Sequence, residues 1–242
     1  MPPKNSLKEY CSNCYYHIYN RGVAKQDIFK DEQDYSVMLN YLKEYLLVKD
    51  NDQLRELLQQ PSLDYHQREK TQKMISLKNY HDEISLLAFC LMPNHFHFLL
   101  KQNGERSIYN FMNSLCTRYS MYFNNKYKRV GSLFQGVYKA VTVNTDEQLV
   151  YLSYYIHRQS LKIINVNDIP ASQGETLRAR RWKEKYPSSF TTYLGLTNSV
   201  WINTKDVLSF FNKIRGPEFT SYESFVTNYV DTTSVSKLLI EN

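Results

Sequence analysis

The pattern of apolar and polar residues along the chain predicts strands and helices in alternation. The predicted strands are the segments CYYHIYNRGV (14–23), EISLLAFCL (83–91), HFHFLL (95–100) and LFQGVYKAVTV (133–143). The predicted helices, with apolar residues at helical spacing, are the segments 31–47, 106–129 and 144–161. This order predicts an α+β fold with a ferredoxin-like antiparallel sheet and helices packed mainly on one face.

One polar and charged segment, from about 49 to 80, interrupts this order. It contains a helix-like stretch, DQLRELLQQ, that ends at Pro61. We therefore expect a partly helical excursion from the core and not a second domain.

Composition narrows the class of protein. The 242 residues carry a formal net charge of +6 and include 21 tyrosines, which favours an anionic partner because basic and aromatic side chains together suit phosphates and bases. The beginning of the chain lacks the apolar segment of a signal peptide, and no apolar run is long enough to span a membrane. We expect a soluble intracellular protein without membrane association.

The four cysteines do not predict a zinc site. Cys11 and Cys14 form a C-x-x-C pair, whereas Cys90 and Cys116 are single, and a four-cysteine zinc site needs a second close pair. A zinc knuckle is the less favoured alternative, and we expect reduced thiols without a special role.

Two histidines lie one residue apart in the apolar segment LMPNHFHFLL (91–100). The preceding Met92, Pro93 and Asn94 have turn chemistry, which predicts a hairpin between the second and third strands. Side chains two residues apart in a strand point to the same face, so His95 and His97 are expected side by side. They are either two ligands of a metal site or half-buried polar residues on a solvated sheet face.

The last predicted helix holds three tyrosines that compete for a role beside this pair. Thr145 followed by Gln148 is a capping-box pattern that predicts where the helix begins. Of the three tyrosines, only Tyr155 is followed four residues later by a neutral side chain with a carbonyl oxygen, that of Gln159. Residues at this spacing share one helix face, so one face can deliver a phenol and a third metal ligand.

The segments MPNHFHFLL and YYIHRQ together resemble the HUH single-tyrosine transposases of the IS200-like superfamily, and especially the REP-associated tyrosine transposases. The segments YHIYNRGVAKQDIF, DYSVML, GSLFQGVYKAVTV and YPSSFTTYLGL also resemble stretches found in order across that family. The chain departs from the family where Gln159 and Ser160 stand in place of Asn and Pro. Glutamine keeps the carbonyl ligand, while the loss of proline leaves open how the helix ends.

The resemblance implies a metal-dependent enzyme that cleaves and rejoins single-stranded DNA through a covalent 5′-phosphotyrosine, at hairpin-forming repeats. Tyr155 is then the nucleophile, and His95, His97 and Gln159 hold a divalent metal, Mg²⁺ or Mn²⁺. We expect a cytoplasmic, nucleoid-associated bacterial protein that assembles its active site within one chain as a monomer, with a dimer as the alternative. A silent module that only binds structured nucleic acid remains open, as does a metal hydrolase that uses water in place of tyrosine.

We expect residues 1–165 to form the catalytic domain and residues 166–242 a C-terminal extension. Basic side chains around the long helix and in the extension are candidate DNA contacts, with a solvated surface as the alternative. These candidates are Arg118, Lys126, Lys128, Arg129, Lys139, Arg178, Arg180 and Arg181. Gln135 is a weaker candidate near the active site. His17 and His157 are left outside the site, the latter because it lies about 200° around the helix from Tyr155.

Overall fold

The central sheet has four antiparallel strands in the computed structural model, which describes residues 10–104, 106–163 and 182–228. The strands are β1 (Cys14–Arg21), β2 (Ile84–Met92), β3 (His95–Gln102) and β4 (Lys139–Val143), in the order β2-β3-β1-β4. β1 and β3 are therefore central, and every neighbouring pair is antiparallel. The predicted α+β fold class is confirmed.

The described helices surround this sheet. They are α1 (Glu32–Leu46), α2 (Asn51–Gln59), α3 (Tyr65–Ser76), α4 (Ser107–Lys126), α5 (Asp146–Ser160), α6 (Phe190–Tyr193), α7 (Lys205–Ile214) and α8 (Tyr222–Asn228). A small antiparallel pair, β5 (Leu161–Ile163) with β6 (Trp182–Glu184), follows α5. The helices α2 and α3 lie within the polar segment from about 49 to 80. Among the described residues, every helix is too short or too polar to cross a lipid bilayer.

The hairpin between β2 and β3 forms as predicted. Met92 pairs with His95, so Pro93 and Asn94 alone connect the strands. The carbonyl of Pro93 also accepts hydrogen bonds from the backbone N–H groups of Ile28 and Phe29, at 2.7 and 2.9 Å. These hydrogen bonds attach the connection to the segment before α1, which fixes where β3 and its histidines begin.

Two helical layers cover the sheet, one on each face. The face with Phe96, Phe98 and Leu100 packs in a single apolar cluster with residues of α1 and α4. The opposite face, with Leu99, packs in a second cluster with residues of α5, α6, α7 and α8. The structure therefore adds a second helical layer to the expected one, and the histidine face of β3 is a covered face, not a solvated one.

The fourth strand is shorter than the sequence predicts. It covers Lys139–Val143, whereas the pattern suggested a strand from residue 133. The preceding segment follows the end of β1 instead of extending the ladder: Gln135 N donates to Arg21 O at 2.8 Å and Asn20 Nδ2 donates to Gly136 O at 3.1 Å. These two contacts hold residues 135 and 136 as a loop at that end of the sheet.

Segments from the C-terminal part of the chain close the free edge of β2. The N–H of Leu91 donates to Pro187 O at 3.0 Å, and the N–H of Ser189 donates to Phe89 O at 3.1 Å. An edge strand that is covered in this way has fewer backbone groups open to another chain. The predicted domain boundary between residues 165 and 166 lies outside the described residues and stays a prediction.

The expectation of reduced thiols is wrong for the C-x-x-C pair. Cys11 and Cys14 form a disulfide, and their Cα atoms are 5.6 Å apart. Ser12 and Asn13 make a turn before β1, with Asn13 at φ 59°, and this turn brings the two cysteines within the range that a disulfide requires. Neither Cys90 nor Cys116 is in a disulfide, as expected.

A buried carboxylate joins the beginning of α1 to the end of α4. Asp34 is fully buried and accepts hydrogen bonds from Lys126 Nζ at 2.8 Å and from the hydroxyls of Tyr122 and Tyr127 at 2.9 and 2.8 Å. Lys126 also donates to Asp31, the residue that caps α1. A buried charge that keeps its cationic partner is tolerated, whereas one that loses it is costly.

Removal of this cation is expected to destabilise the fold. Lys126→Met should lower the free energy of unfolding, because Asp34 stays buried without its cationic partner. Arg55→Met is the control, since Arg55 pairs with Asp52 on an exposed surface and its loss should cost about 0.5 kcal/mol or less. Urea denaturation of both variants measures the difference, and equal losses would contradict this role of Lys126.

Candidate active site

The histidine pair lies on one face of β3, as the alternation of side chains predicted. The rings of His95 and His97 have centroids 5.0 Å apart and are nearly perpendicular, at 87°. His97 is only 2% exposed, whereas His95 is half-buried at the end of the strand. The pair therefore begins at the hairpin connection and continues under the helices that cover this face.

His17, which the sequence analysis left outside the site, contacts the pair directly. Its Nε2 lies 2.8 Å from Nδ1 of His97, and the two rings are stacked with centroids 5.1 Å apart. His17 is opposite Leu99 in the register of β1 and β3, so it is the diagonal neighbour of His97. In the sequence, Tyr15, His17 and Tyr19 alternate along the first strand and therefore share one face. The sequence does not show which residues of β3 lie beside them, because that depends on the register of β1 with β3.

Each histidine of the pair has its Nδ1 atom in a hydrogen bond. Asn94 Oδ1 lies 2.6 Å from Nδ1 of His95, and His17 Nε2 occupies the same position at His97. An Nδ1 that donates its proton leaves the lone pair of the ring on Nε2, which is the form that binds a metal ion. Burial, with smaller effects from His17, His95 and Arg21, lowers the pKa of His97 well below its usual value, so that this imidazole is neutral at neutral pH.

The helix α5 brings a tyrosine to this pair, and the structure distinguishes among the three candidates. The ring of Tyr155 lies 5.6 Å from that of His97, centroid to centroid. Tyr151 and Tyr154 instead contact the ring of Phe225 in α8, at 5.6 and 5.3 Å. The helix begins as predicted, because the Thr145 side chain accepts a hydrogen bond from Gln148 N at 3.1 Å.

Gln159 lies one helical turn after Tyr155, near the end of α5, and is half-buried. In the described part of the chain, no three His, Cys, Asp or Glu side chains are placed so that together they could hold a metal ion. A third protein ligand beside the two imidazoles would therefore be of another type, and an amide oxygen is one that Mg²⁺ and Mn²⁺ accept. The donor set is chemically compatible with such an ion.

His157 lies away from the pair, as predicted from its angle on the helix. It is fully buried, with Nδ1 2.8 Å from Tyr222 Oη and Nε2 2.7 Å from Ser189 Oγ. Burial lowers its pKa to about 3, so it is neutral and structural. These contacts attach the C-terminal elements to the back of α5. The C-terminal part of the chain thus supports the helix that carries Tyr155.

Two of the candidate DNA contacts are neutralised within the protein. Arg118 Nη1 lies 2.6 Å from Glu44 Oε2, and its guanidinium stacks 3.7 Å from the ring centroid of Tyr41. Lys126 is bound to Asp31 and Asp34. Both cations have structural partners, which makes them weaker candidates for phosphate contacts than the sequence suggested.

The other basic candidates differ in their surroundings. Lys128 is exposed, and Arg129 is half-buried with Nη1 3.3 Å from Asn124 Oδ1, at the end of α4. Lys139 is exposed on β4 and pairs with Tyr19 of β1, and Tyr19 in turn pairs with His97 of β3. Arg178, Arg180 and Arg181 lie outside the described residues. Gln135 is exposed, and its N–H donates to Arg21 O beside the histidine end of the sheet.

Comparison with known structures gives a match at low sequence identity. It is a structure described as "Structure of the REP associates tyrosine transposase bound to a REP hairpin", with 8% sequence identity and a TM-score of 0.42, over 82% of this chain and 96% of that chain. No curated protein is significantly similar to this chain in sequence.

Comparison with protein families gives a match that contains both halves of the candidate site. The family model described as "Transposase IS200 like" matches residues 58–159, which is less than half of the chain. The matched segment includes the histidine strand β3, the helix α4 and the tyrosine helix α5 as far as Gln159. Residues 58–159 of this chain are therefore similar to the IS200-like transposases.

Proposed function

We propose that this protein is a metal-dependent transposase that cleaves and rejoins single-stranded DNA, with Tyr155 as the nucleophile. The observation that carries the proposal is the proximity of Tyr155 on α5 to His97 on β3, at 5.6 Å between ring centroids. The family match supports DNA transposition as the general activity. The roles of the individual residues are part of the proposal.

In the proposed step, the phenol oxygen of Tyr155 attacks the scissile phosphorus and the bond from phosphorus to the 3′ oxygen breaks. The DNA strand stays joined to the protein as a 5′-phosphotyrosine, the phenol gives up its proton, and the released 3′ oxygen takes up a proton to become a hydroxyl. A later attack by a DNA hydroxyl reverses the step, so that rejoining needs no external source of energy. Because the phenol is a weak nucleophile at neutral pH, the phosphate itself must be activated.

His95, His97 and Gln159 are the residues that would hold a divalent ion, Mg²⁺ or Mn²⁺, and the nitrogen ligands favour Mn²⁺. When bound, such an ion polarises the phosphate and stabilises charge on its oxygens. Asn94 and His17 keep the two imidazoles oriented, through the contacts at 2.6 and 2.8 Å. The neutral state of His97 is the state that this role requires.

The substrate that fits this site is an unpaired strand. The scissile phosphate has to lie between a strand and the helix that packs over it, and duplex stacking keeps a strand from bending into such a space. We therefore propose hairpin DNA with a single-stranded flank as the partner. We also propose that one chain supplies both the histidines and the tyrosine, since α5 packs on its own sheet.

The nucleophile is tested by removal of one oxygen atom. Tyr155→Phe should abolish cleavage and the covalent adduct with a labelled hairpin oligonucleotide in Mn²⁺, while hairpin affinity changes less than about twofold. Tyr154→Phe is the matched control, because Tyr154 contacts Phe225 and should keep the adduct. Denaturing gel electrophoresis detects the adduct. An adduct that persists in Tyr155→Phe and disappears in Tyr154→Phe would show that Tyr154, and not Tyr155, is the nucleophile.

The metal site is tested by binding as well as by cleavage. His97→Ala should abolish cleavage, and His17→Phe should weaken Mn²⁺ binding by about 10- to 100-fold because the ring of His97 loses the partner that orients it. Isothermal titration calorimetry measures the affinity, and His81→Phe serves as the control at a histidine on another surface. Full cleavage in a chelator would exclude a metal-dependent reaction.

A further inference from the structure

Among the described residues, the part of the histidine face that lies on β1 and β4, beside the proposed active site, is only partly covered. Tyr19 on β1 is in register with His97 on one side and with Lys139 of β4 on the other. Arg21, two residues on, is in register with His95. Paired residues in antiparallel strands share a face, so all five side chains lie on one surface. Tyr19 and Arg21 are half-buried, and Lys139 is exposed.

The helices that cover the rest of this face contact other parts of it. The residues of α5 pack with those of β2 and with Leu99 of β3. The helix α7 reaches the opposite end of β1, where Tyr15 Oη donates to Asp206 Oδ2 at 3.0 Å. The end of β1 with Tyr19 and Arg21 borders instead on the loop at residues 135–137, where Val137 is 66% exposed.

The charges of this surface distinguish it from the other basic positions. Among the described residues, no carboxylate lies within salt-bridge distance of Arg21 or Lys139. In contrast, Arg118, Lys126 and Lys101 each have an acidic partner at 3.6 Å or less. Two cations without carboxylate partners, on either side of an aromatic ring, form a surface that suits a single nucleic-acid strand, because phosphates meet the cations and a base stacks on the ring.

We propose that Tyr19, Arg21 and Lys139 form a flank-binding surface for the single-stranded DNA next to the scissile phosphate. The inference rests on the proposed function, because the surface is continuous with the histidine pair: Arg21 is the neighbour of His95, and the ring of Tyr19 lies 5.9 Å from that of His97. Arg21 and Lys139 contact phosphates of the flank, and Tyr19 stacks against one of its bases. The flank thus approaches from the β4 side, while Tyr155 acts from the α5 side.

The test measures binding separately from chemistry. In Tyr155→Phe protein, fluorescence anisotropy gives Kd for a hairpin with a single-stranded flank and for the same hairpin with a blunt end. Lys139→Ala should weaken binding of the flanked hairpin alone and reduce the slope of log Kd against log salt by about 0.7, the value for one phosphate contact on a single strand. Lys70→Ala, the loss of an exposed lysine on α3, is the control with the same change in charge.

The stacking contact has its own pair of variants. Tyr19→Leu should weaken binding of the flanked hairpin by about fivefold or more, whereas Tyr19→Phe should retain it, because the ring face and not the hydroxyl makes the contact. The proposal is overturned if Lys139→Ala and Lys70→Ala have equal effects, or if the blunt hairpin loses as much affinity as the flanked one.

The covalent adduct, assayed with Tyr155 intact, separates this proposal from the proposed function. A normal adduct together with unchanged flank affinity in Lys139→Ala and Tyr19→Leu would overturn the flank-binding surface alone. An absent adduct in the unaltered protein would overturn the proposed function, and the affinity differences would then still decide whether the surface binds the strand.

Discussion

The packing of α5 on its own sheet is the interaction on which the rest of the candidate site depends. β4 ends at Val143 and α5 begins at Asp146, so the helix returns over the sheet without a long connection. Its Leu152 and Ile156 are fully buried in one cluster with Leu99, and burial of each such side chain contributes about 1.5–3 kcal/mol. The same packing fixes the rotation of the helix, and this rotation places Tyr155 beside His97.

The back of α5 is held by the C-terminal part of the chain, which explains why the helix is buried on both sides. His157 contacts Tyr222 and Ser189 through its two ring nitrogens, while the rings of Tyr151 and Tyr154 pack on Phe225. An amphipathic helix on a surface would carry polar residues there. The C-terminal helices therefore support the site although they supply none of its proposed reacting groups.

The sequence predicted those features that depend on local periodicity. A two-residue repeat put His95 and His97 on one face, and a four-residue spacing selected Tyr155 from three tyrosines, which agrees with its position beside His97. Features that depend on the pairing of distant segments were missed. The place of His17 in the site depends on the register of β1 with β3. Arg118 is a weaker candidate for a DNA contact because Glu44, on another helix, pairs with it. The C-x-x-C disulfide likewise required the turn before β1.

The central claim is that one chain assembles the whole site, and complementation between two inactive variants tests it most directly. Tyr155→Phe protein is mixed with His95→Ala/His97→Ala protein, after each alone has been shown to be folded and to bind the hairpin, and covalent adduct with labelled hairpin DNA is measured. If α5 packs on its own sheet, neither chain has a complete site, and we expect the mixture to give no more adduct than either variant alone. Recovery of the adduct would show that the tyrosine of one chain acts with the histidines of another, and would contradict the account.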